Sequence, residues 1–224
     1  MKSNQLKIKN TVIEWLGHAS FKVKAEKSGK VIYFDPFQIS TPSEAEKADI
    51  ILISHPHYDH CSPDDLKKIV KKEAKETAIV TVEECIKKLS EEFDCNFIQV
   101  SPGKKIEVNS IKIEAVPAYN PGKKFHPKSS SWVGFVVDVD GVKIYHAGDT
   151  DAIPEIKNLR EMKIDVALVP VGGTYTMTAE EASEAVNSFK PKIAVPMHFG
   201  KIVGNISDAE RFKKLAKVEV AILE

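Results

Sequence analysis

The segment Ser54-His55-Pro56-His57-Tyr58-Asp59-His60 gathers three imidazoles and a carboxylate in a chain with only 7 histidines among 224 residues. Imidazole and carboxylate are ligands for zinc, iron or manganese. Spacing matters as much as type. On an extended strand end His55 and His57 point the same way, because side chains repeat every second residue. Asp59 and His60 fall one turn later, at the start of a helix, and can face a second point. One short motif can therefore serve two metal ions. Two other strings add ligands. Tyr145-His146-Ala147-Gly148-Asp149-Thr150 ends a strand in a carboxylate that can bridge two ions, and Pro196-Met197-His198-Phe199-Gly200 ends another strand in a histidine. Singly, a strand-end aspartate is most often a cap and a lone histidine most often structural. Three strand ends offering such groups to one edge of a sheet sandwich make a coherent site.

The pattern predicts the elements that hold these strand ends. Residues 49–54 (DIILIS) form a continuous apolar run, as a strand buried on both faces requires. Ser62-Pro63-Asp64-Asp65 opens a helix with a Ser cap, a Pro at the first position and acids in the first turn, predicted to run to about Lys75. Strands are predicted over 11–16, 19–24, 31–35, 78–82, 96–100, 104–108 and 111–116. Residues 133–138 and 142–146 pair across Asp140-Gly141, a strong hairpin signal. Strands over 164–170, 193–196 and 218–223 alternate with helices over 178–189, opened by a capping box, and 208–217. Another helix is predicted over 83–92. Two β-rich halves, each followed by helices, are buried by packing two sheets face to face with helices outside. No linker divides the chain, so residues 1–224 are expected to form one domain. Residues 117–131, with three prolines, a glycine and three serines, read as a long functional loop.

Composition narrows the function. Lys+Arg and Asp+Glu both count 32, and hydrophobic residues make up 42%, so the chain reads as globular with zero formal net charge. That balance, with arginine only at 160 and 211, argues against nucleic acid or an anionic membrane as partner. No apolar stretch reaches the length of a membrane span. Cys61, Cys85 and Cys95 lack CxxC spacing and read as reduced thiols of a cytoplasmic protein. Phosphate-binding glycine motifs and a GxSxG elbow are absent.

Together the motifs resemble the metallo-β-lactamase fold hydrolases. HPHYDH matches the HxHxDH signature, AGDT the metal-bridging aspartate and PMHFG the last histidine. WLGHAS, YHAGDT, PVGGTYTM and KPKIAVPMH resemble a compact metal-dependent hydrolase branch, similar to the ascorbate-phosphate lactonase and N-acyl-phosphatidylethanolamine phospholipase D groups. The resemblance runs from Glu14 onward. It implies an α+β fold, a four-layer αββα sandwich, with metals at the edge of the two sheets. Residue by residue, it implies His55 and His57 on one ion, Asp59, His60 and His198 on the other, and Asp149 between them. One position departs. Family members place a histidine at the end of the strand over 111–117, where this chain has Ala118-Tyr119-Asn120. His126 in the following loop, or the amide oxygen of Asn120, could fill that place; neutral imidazole is the better ligand and favours His126. In that case the loop acts as a lid that carries a ligand. His18, Asp35 and His146 are expected behind the ligands or against substrate, with Asp35 fixing the tautomer of a ligating histidine.

The expected activity is hydrolysis of an ester, lactone, amide or phosphodiester by a metal-activated water, with Asp59 or Asp149 handling the proton. One or two divalent ions are implied, zinc first, with manganese, iron and nickel also suited to such donors. Lys123, Lys124, Lys128 and Lys201 near the predicted mouth tilt the small-molecule substrate towards an anionic one. The rival reading is a non-catalytic metal-binding or ligand-sensing domain that retains the fold.

Overall fold

Two seven-stranded sheets form the framework of the computed structural model, which describes residues 3–40 and 45–224. In the first sheet, β1 (Gln5–Ile8), β2 (Thr11–Gly17), β3 (Ser20–Ala25), β4 (Lys30–Phe34), β5 (Ile50–Ile53), β6 (Ala78–Thr81) and β7 (Asn96–Gln99) lie side by side in chain order. β1 to β4 are antiparallel and β4 to β7 parallel. The second sheet repeats the plan with β8 (Lys105–Val108), β9 (Ile111–Pro117), β10 (Val133–Val139), β11 (Val142–His146), β12 (Val166–Pro170), β13 (Ile193–Met197) and β14 (Glu219–Val220). There β8 to β11 are antiparallel and β11 to β14 parallel. The sheets meet through apolar side chains and stacked rings such as Phe34 against His146. Helices cover the outer faces, giving the four-layer αββα sandwich.

The parallel strands need crossovers, and the sequence supplies them. α1 (Pro63–Ile69) starts where the Ser62 hydroxyl accepts the N–H of Asp65. α2 (Glu83–Leu89) links β6 to β7, and the short α3 (Leu159–Met162) follows a 3-10 turn at Pro154–Asn158. α4 (Ala179–Phe189) has a reciprocal capping box between Thr178 and Glu181, buries Ala182, Val186 and Phe189, and ends at left-handed Lys190 just before a proline. α5 (Ile206–Leu215), capped by Asn205, begins two residues earlier than the pattern suggests.

Other departures have local causes. α1 stops at Ile69 rather than near Lys75, because the Thr77 hydroxyl takes the N–H of Lys71 and donates to the Ala48 carbonyl, turning the chain back to the sheet. β1 lies outside the predicted strands: it is a half-exposed edge strand with little apolar signal.

The two halves share one fastening. Asp49, just before β5, accepts the N–H of Val31 at 2.9 Å and the ammonium of Lys71 at 2.6 Å. Asp165, just before β12, accepts the N–H of Lys143 at 2.9 Å and the ammonium of Lys192 at 2.6 Å. Each carboxylate thus ties the start of a buried parallel strand to the start of its neighbour. Burial alone would raise both pKa values; for Asp49 Lys71, the Val31 N–H and Lys30 together, and for Asp165 the Lys143 N–H and Lys192 together, outweigh it and hold the carboxyl below its ordinary range.

A group with a lowered folded-state pKa stabilises fully above its unfolded value, about 3.9, and loses that stabilisation as pH falls through the folded value. Asp49→Asn and Asp165→Asn should each cost about 1–2 kcal/mol at pH 7, after allowance for solvent screening. The deficit should shrink as pH falls below about 3.9. Urea unfolding at pH 7 and pH 3 checks it; a deficit that does not change with pH would show that the charge is irrelevant.

Candidate metal centre

The carboxyl ends of the parallel strands, where ligands gather in such sheets, all lie at one edge. Asp35 follows β4, Ser54 and His55 follow β5, Asp149 follows β11 and His198 follows β13. The His57 carbonyl accepts the N–H groups of His60 and Cys61, and Lys88 on α2 donates to the carbonyls of Pro56 and Cys61. Those bonds hold the histidine-rich turn at both ends. Cys61 is buried with a free thiol and packs there.

Two groups of donors result. In the first, His55 Nε2 and His126 Nε2 each lie 3.1 Å from His57 Nδ1, and all three rings converge within 4.8 Å. A tetrahedral ion with nitrogen ligands at about 2.0–2.1 Å holds them about 3.3 Å apart, so the spacing fits a cation. The second group is Asp59, His60, His198 and His18, again within 4.8 Å. Asp149 lies between the groups: its Oδ1 is 3.3 Å from His60 Nε2, and its Oδ2 is 3.1 Å from His198 Nε2 and 3.8 Å from His126 Nε2. His60 Nε2, Asp149 Oδ1, His126 Nδ1 and both ring nitrogens of His198 are buried without a hydrogen-bond partner. Orphaned buried donors and acceptors are costly, and a positive ion is what such a set of lone pairs would accept.

The electrostatics agree. Burial, reinforced by the His60 and His126 rings, holds His55 well below the ordinary imidazole pKa. His126 is lowered to about 4, chiefly by burial. Both rings are therefore neutral and offer lone pairs at pH 7. Burial would also raise Asp149, but His198 and His60 outweigh it and keep the carboxylate well below its usual range. Asp59 is held at about 2: burial opposes ionisation, and the hydrogen bond from His18 together with the His60 ring prevails. His60 goes the other way. Burial disfavours its charge, yet Asp149 and Asp35 lift its pKa well above the ordinary value, so a cation must displace a proton there.

Behind the donors stands a hydrogen-bonded layer. Asp35 accepts from His60 Nδ1 at 2.7 Å and from the N–H and hydroxyl of Ser54, both at 2.7 Å. The Ser54 oxygen lies 2.8 Å from His55 Nδ1. With its proton given to Asp35, that hydroxyl accepts from His55. Both rings then carry their proton on Nδ1 and turn Nε2 to the centre. His146 works elsewhere. Its Nε2 donates to the Ala19 carbonyl at 2.8 Å and its Nδ1 accepts the N–H of Gly148, so it braces the turn before Asp149 and takes no place at the centre. His18 is closer in than the pattern implies, 3.1 Å from Asp59 Oδ2.

Asn120 is tied into the loop by its donors, while its Oδ1 is buried without a hydrogen-bond partner. Its amide donates to Asp151 Oδ1 and the Tyr175 carbonyl, while its backbone N–H takes the His126 carbonyl at 2.8 Å and closes the loop. Lys123 completes the fastening, donating to Asp151 at 2.6 Å and to the Thr176 carbonyl at 2.8 Å. The loop is thus pinned at its base. Trp132 carries no sequence signal, yet it stacks on His55 at 5.3 Å, edges against His57 and His126, and is held by Glu84 through its indole N–H.

These observations meet the results of comparison with known proteins. Residues 12–198 match the family model described as the beta-lactamase superfamily domain. A UPF0173 metal-dependent hydrolase of Thermococcus onnurineus is 36% identical, over 95% of this chain and 96% of its own length. Another, from Thermoplasma acidophilum, is 37% identical over 93% and 92%. Among solved structures, a protein of Parabacteroides distasonis assigned as a metal-dependent hydrolase superposes with a TM-score of 0.84 at 33% identity, covering 100% and 99% of the two chains. A metallo hydrolase of Ignicoccus hospitalis gives 0.77 at 25% identity, with 96% and 95% covered. With the fold, the donor clusters and a family match over most of its length in agreement, the chain belongs to the beta-lactamase superfamily, in the branch of the UPF0173 metal-dependent hydrolases.

Proposed function

We propose that this protein is a hydrolase that holds one or two divalent cations, one on His55, His57 and His126 and one on Asp59, His60 and His198, with Asp149 shared. The observation that carries this reading is a trio of imidazole nitrogens, His57 Nδ1 lying 3.1 Å from both His55 Nε2 and His126 Nε2, beside a buried, ionised carboxylate. The donors are nitrogen and oxygen without thiolate, a set that suits zinc first and also manganese, iron or nickel. A divalent cation supplies a water of lowered pKa, towards about 7, and polarises a carbonyl or phosphoryl oxygen. The chain's own residues do the rest. Asp59, at the cavity wall and steadied by His18, takes a proton from the attacking water and passes it to the leaving group. Trp132 keeps the first group of rings in place, and Asp35 fixes two tautomers. Likeness to the lactonase and phospholipase D groups enters only through bond type: ester, lactone, amide or phosphodiester. The rival non-catalytic reading draws on Asn120, and His126 stands where the missing donor is wanted. Three free, buried cysteines support a reducing, cytoplasmic setting. Among the described residues no helix is long and apolar enough to cross a membrane.

Two measurements test the assignment. Asp59→Ala should lower turnover of p-nitrophenyl esters or bis(p-nitrophenyl) phosphate by about 100-fold or more. The melting temperature of the metal-free protein should stay within about 2 °C; activity near that of the unaltered protein would remove Asp59 from its role. His126→Ala should bring the metal content from about two ions per chain towards one, since the Asp59, His60 and His198 donors are untouched. Elemental mass spectrometry counts the ions, and unchanged stoichiometry with unchanged activity would leave His126 as a plain loop residue.

A further inference from the structure

We propose that the substrate of this site is an uncharged acyl compound, an ester, lactone or amide, whose alkyl or aryl group is seated by Tyr58, Phe125, Tyr175 and Ile202; the inference rests on the hydrolase reading above and names its substrate class. The described residues include five exposed large hydrophobic side chains: Tyr58 (64%), Phe125 (46%), Tyr175 (46%), Ile202 (37%) and Ile206 (39%). Scattered single exposures are ordinary. Four of these five, however, line one cavity, the cavity that also opens onto Asp59, Asp149 and His198. A rim of apolar groups converging on one polar centre marks a binding site rather than chance exposure.

The rim is built from four loops. Tyr58 comes from the histidine-rich turn and lies edge-on to Phe37 at 5.9 Å. Phe125 precedes His126 on the braced loop and lies edge-on to Tyr175 at 6.0 Å. Ile202 follows β13. The cavity holds about 360 Å³, at the small end of the ~300–1,000 Å³ range of ligand pockets, enough for a compact acyl group.

Side-chain charge does not favour the anionic alternative. No lysine or arginine lines this cavity. Lys123 is spent on Asp151 and Thr176, and Lys128 on Glu155 at 2.9 Å. Lys124 sits over the Phe125 ring at 5.5 Å and Lys201 lines a different groove. The charged walls are the carboxylates of Asp59 and Asp149. A phosphate monoester or diester would find no guanidinium or ammonium among the lining side chains, and its oxygens would rely on the cations alone. An uncharged acyl group loses nothing by their absence and gains by burying its chain. The reaction is balanced by water alone: its oxygen bonds to the acyl carbon, the acyl–oxygen or acyl–nitrogen bond breaks, and the products are a carboxylate, an alcohol or amine, and a proton.

The test uses the metal-loaded protein and p-nitrophenyl acetate, butyrate and hexanoate, with p-nitrophenyl phosphate and bis(p-nitrophenyl) phosphate as charged comparators. The expected result is a kcat/KM that rises about threefold per added methylene, with the phosphates turned over more slowly than the hexanoate. Phe125→Ser and Tyr175→Ser should raise KM for the hexanoate about tenfold and for the acetate much less. A second readout needs no turnover: 2-octanone, an uncharged ketone, should bind the metal-depleted protein by saturation-transfer NMR and bind Phe125→Ser more weakly. Faster turnover of either phosphate would overturn the acyl proposal while leaving the hydrolase reading in place. Turnover of none of the five probes would overturn both. Dimerisation by sedimentation, or binding to phosphatidylcholine vesicles, that is lost in Phe125→Ser would assign the patch to a partner instead and also overturn it.

Discussion

The centre depends on one buried carboxylate. Asp35 has no exposed surface and sits between the backbone N–H of Ser54, the Ser54 hydroxyl and His60 Nδ1. A carboxylate can be buried only when its lone pairs are filled by donors, and here the donors are parts of the histidine motif. The same bonds that make Asp35 tolerable in the interior therefore fix His60 directly and His55 through Ser54. The parallel pairing of β4 with β5, continued by the bond from Asp35 N–H to the Leu52 carbonyl, sets the register that brings them together. A slip of one residue along β5 would turn Ser54 away and expose a charge to a dry environment.

The site joins two halves of similar design. His18, His55, His57, Asp59 and His60 come from the first sheet and its loops; His126, Asp149 and His198 come from the second. Neither half alone assembles a group that includes Asp149 with its neighbours on both sides. Donor groups of this kind exist only in the folded chain, so a bound cation adds its binding free energy to folding. The donor-bearing edge is then also a fastening between the sheets, on the same side as the His146 brace.

Much of this is legible in the sequence, and what is not has physical reasons. HPHYDH, AGDT and PMHFG each sit at the end of an apolar run, so the period-2 and buried-strand signals locate them together with their strands. Asp140-Gly141 marks its hairpin by turn chemistry alone. Short or polar elements are invisible: β1 is an edge strand, and the 3-10 turn with α3 spans too few residues for periodicity to show. Trp132 stays hidden because its importance is a matter of ring geometry across the sandwich. The lysines near the mouth mislead for the opposite reason. Sequence shows a charge but not its partner, and Lys123 and Lys128 turn out to be spent on Asp151 and Glu155.

His126 shows how a fold reaches one coordination problem by another route. The strand-end position after β9 offers Asn120, whose amide is committed to Asp151 and Tyr175. The chain instead runs six residues further and folds back, so that the Asn120 N–H closes on the His126 carbonyl. That return needs a left-handed backbone at His126, φ +65°, a conformation that costs energy for any residue with a Cβ. His18, Asp35 and His198 share the same region, at +51°, +41° and +60°. Strain at four of the residues around one centre persists only if their surroundings over-determine them. For His126 those surroundings are the Asn120–Asp151–Lys123 network on one side and Trp132 on the other. A loop held in this way is stiff enough to present an imidazole with the constancy of a strand end. It also carries Phe125 on the cavity rim, so a member of the His55–His57–His126 group and an apolar wall of the cavity are positioned by the same few bonds.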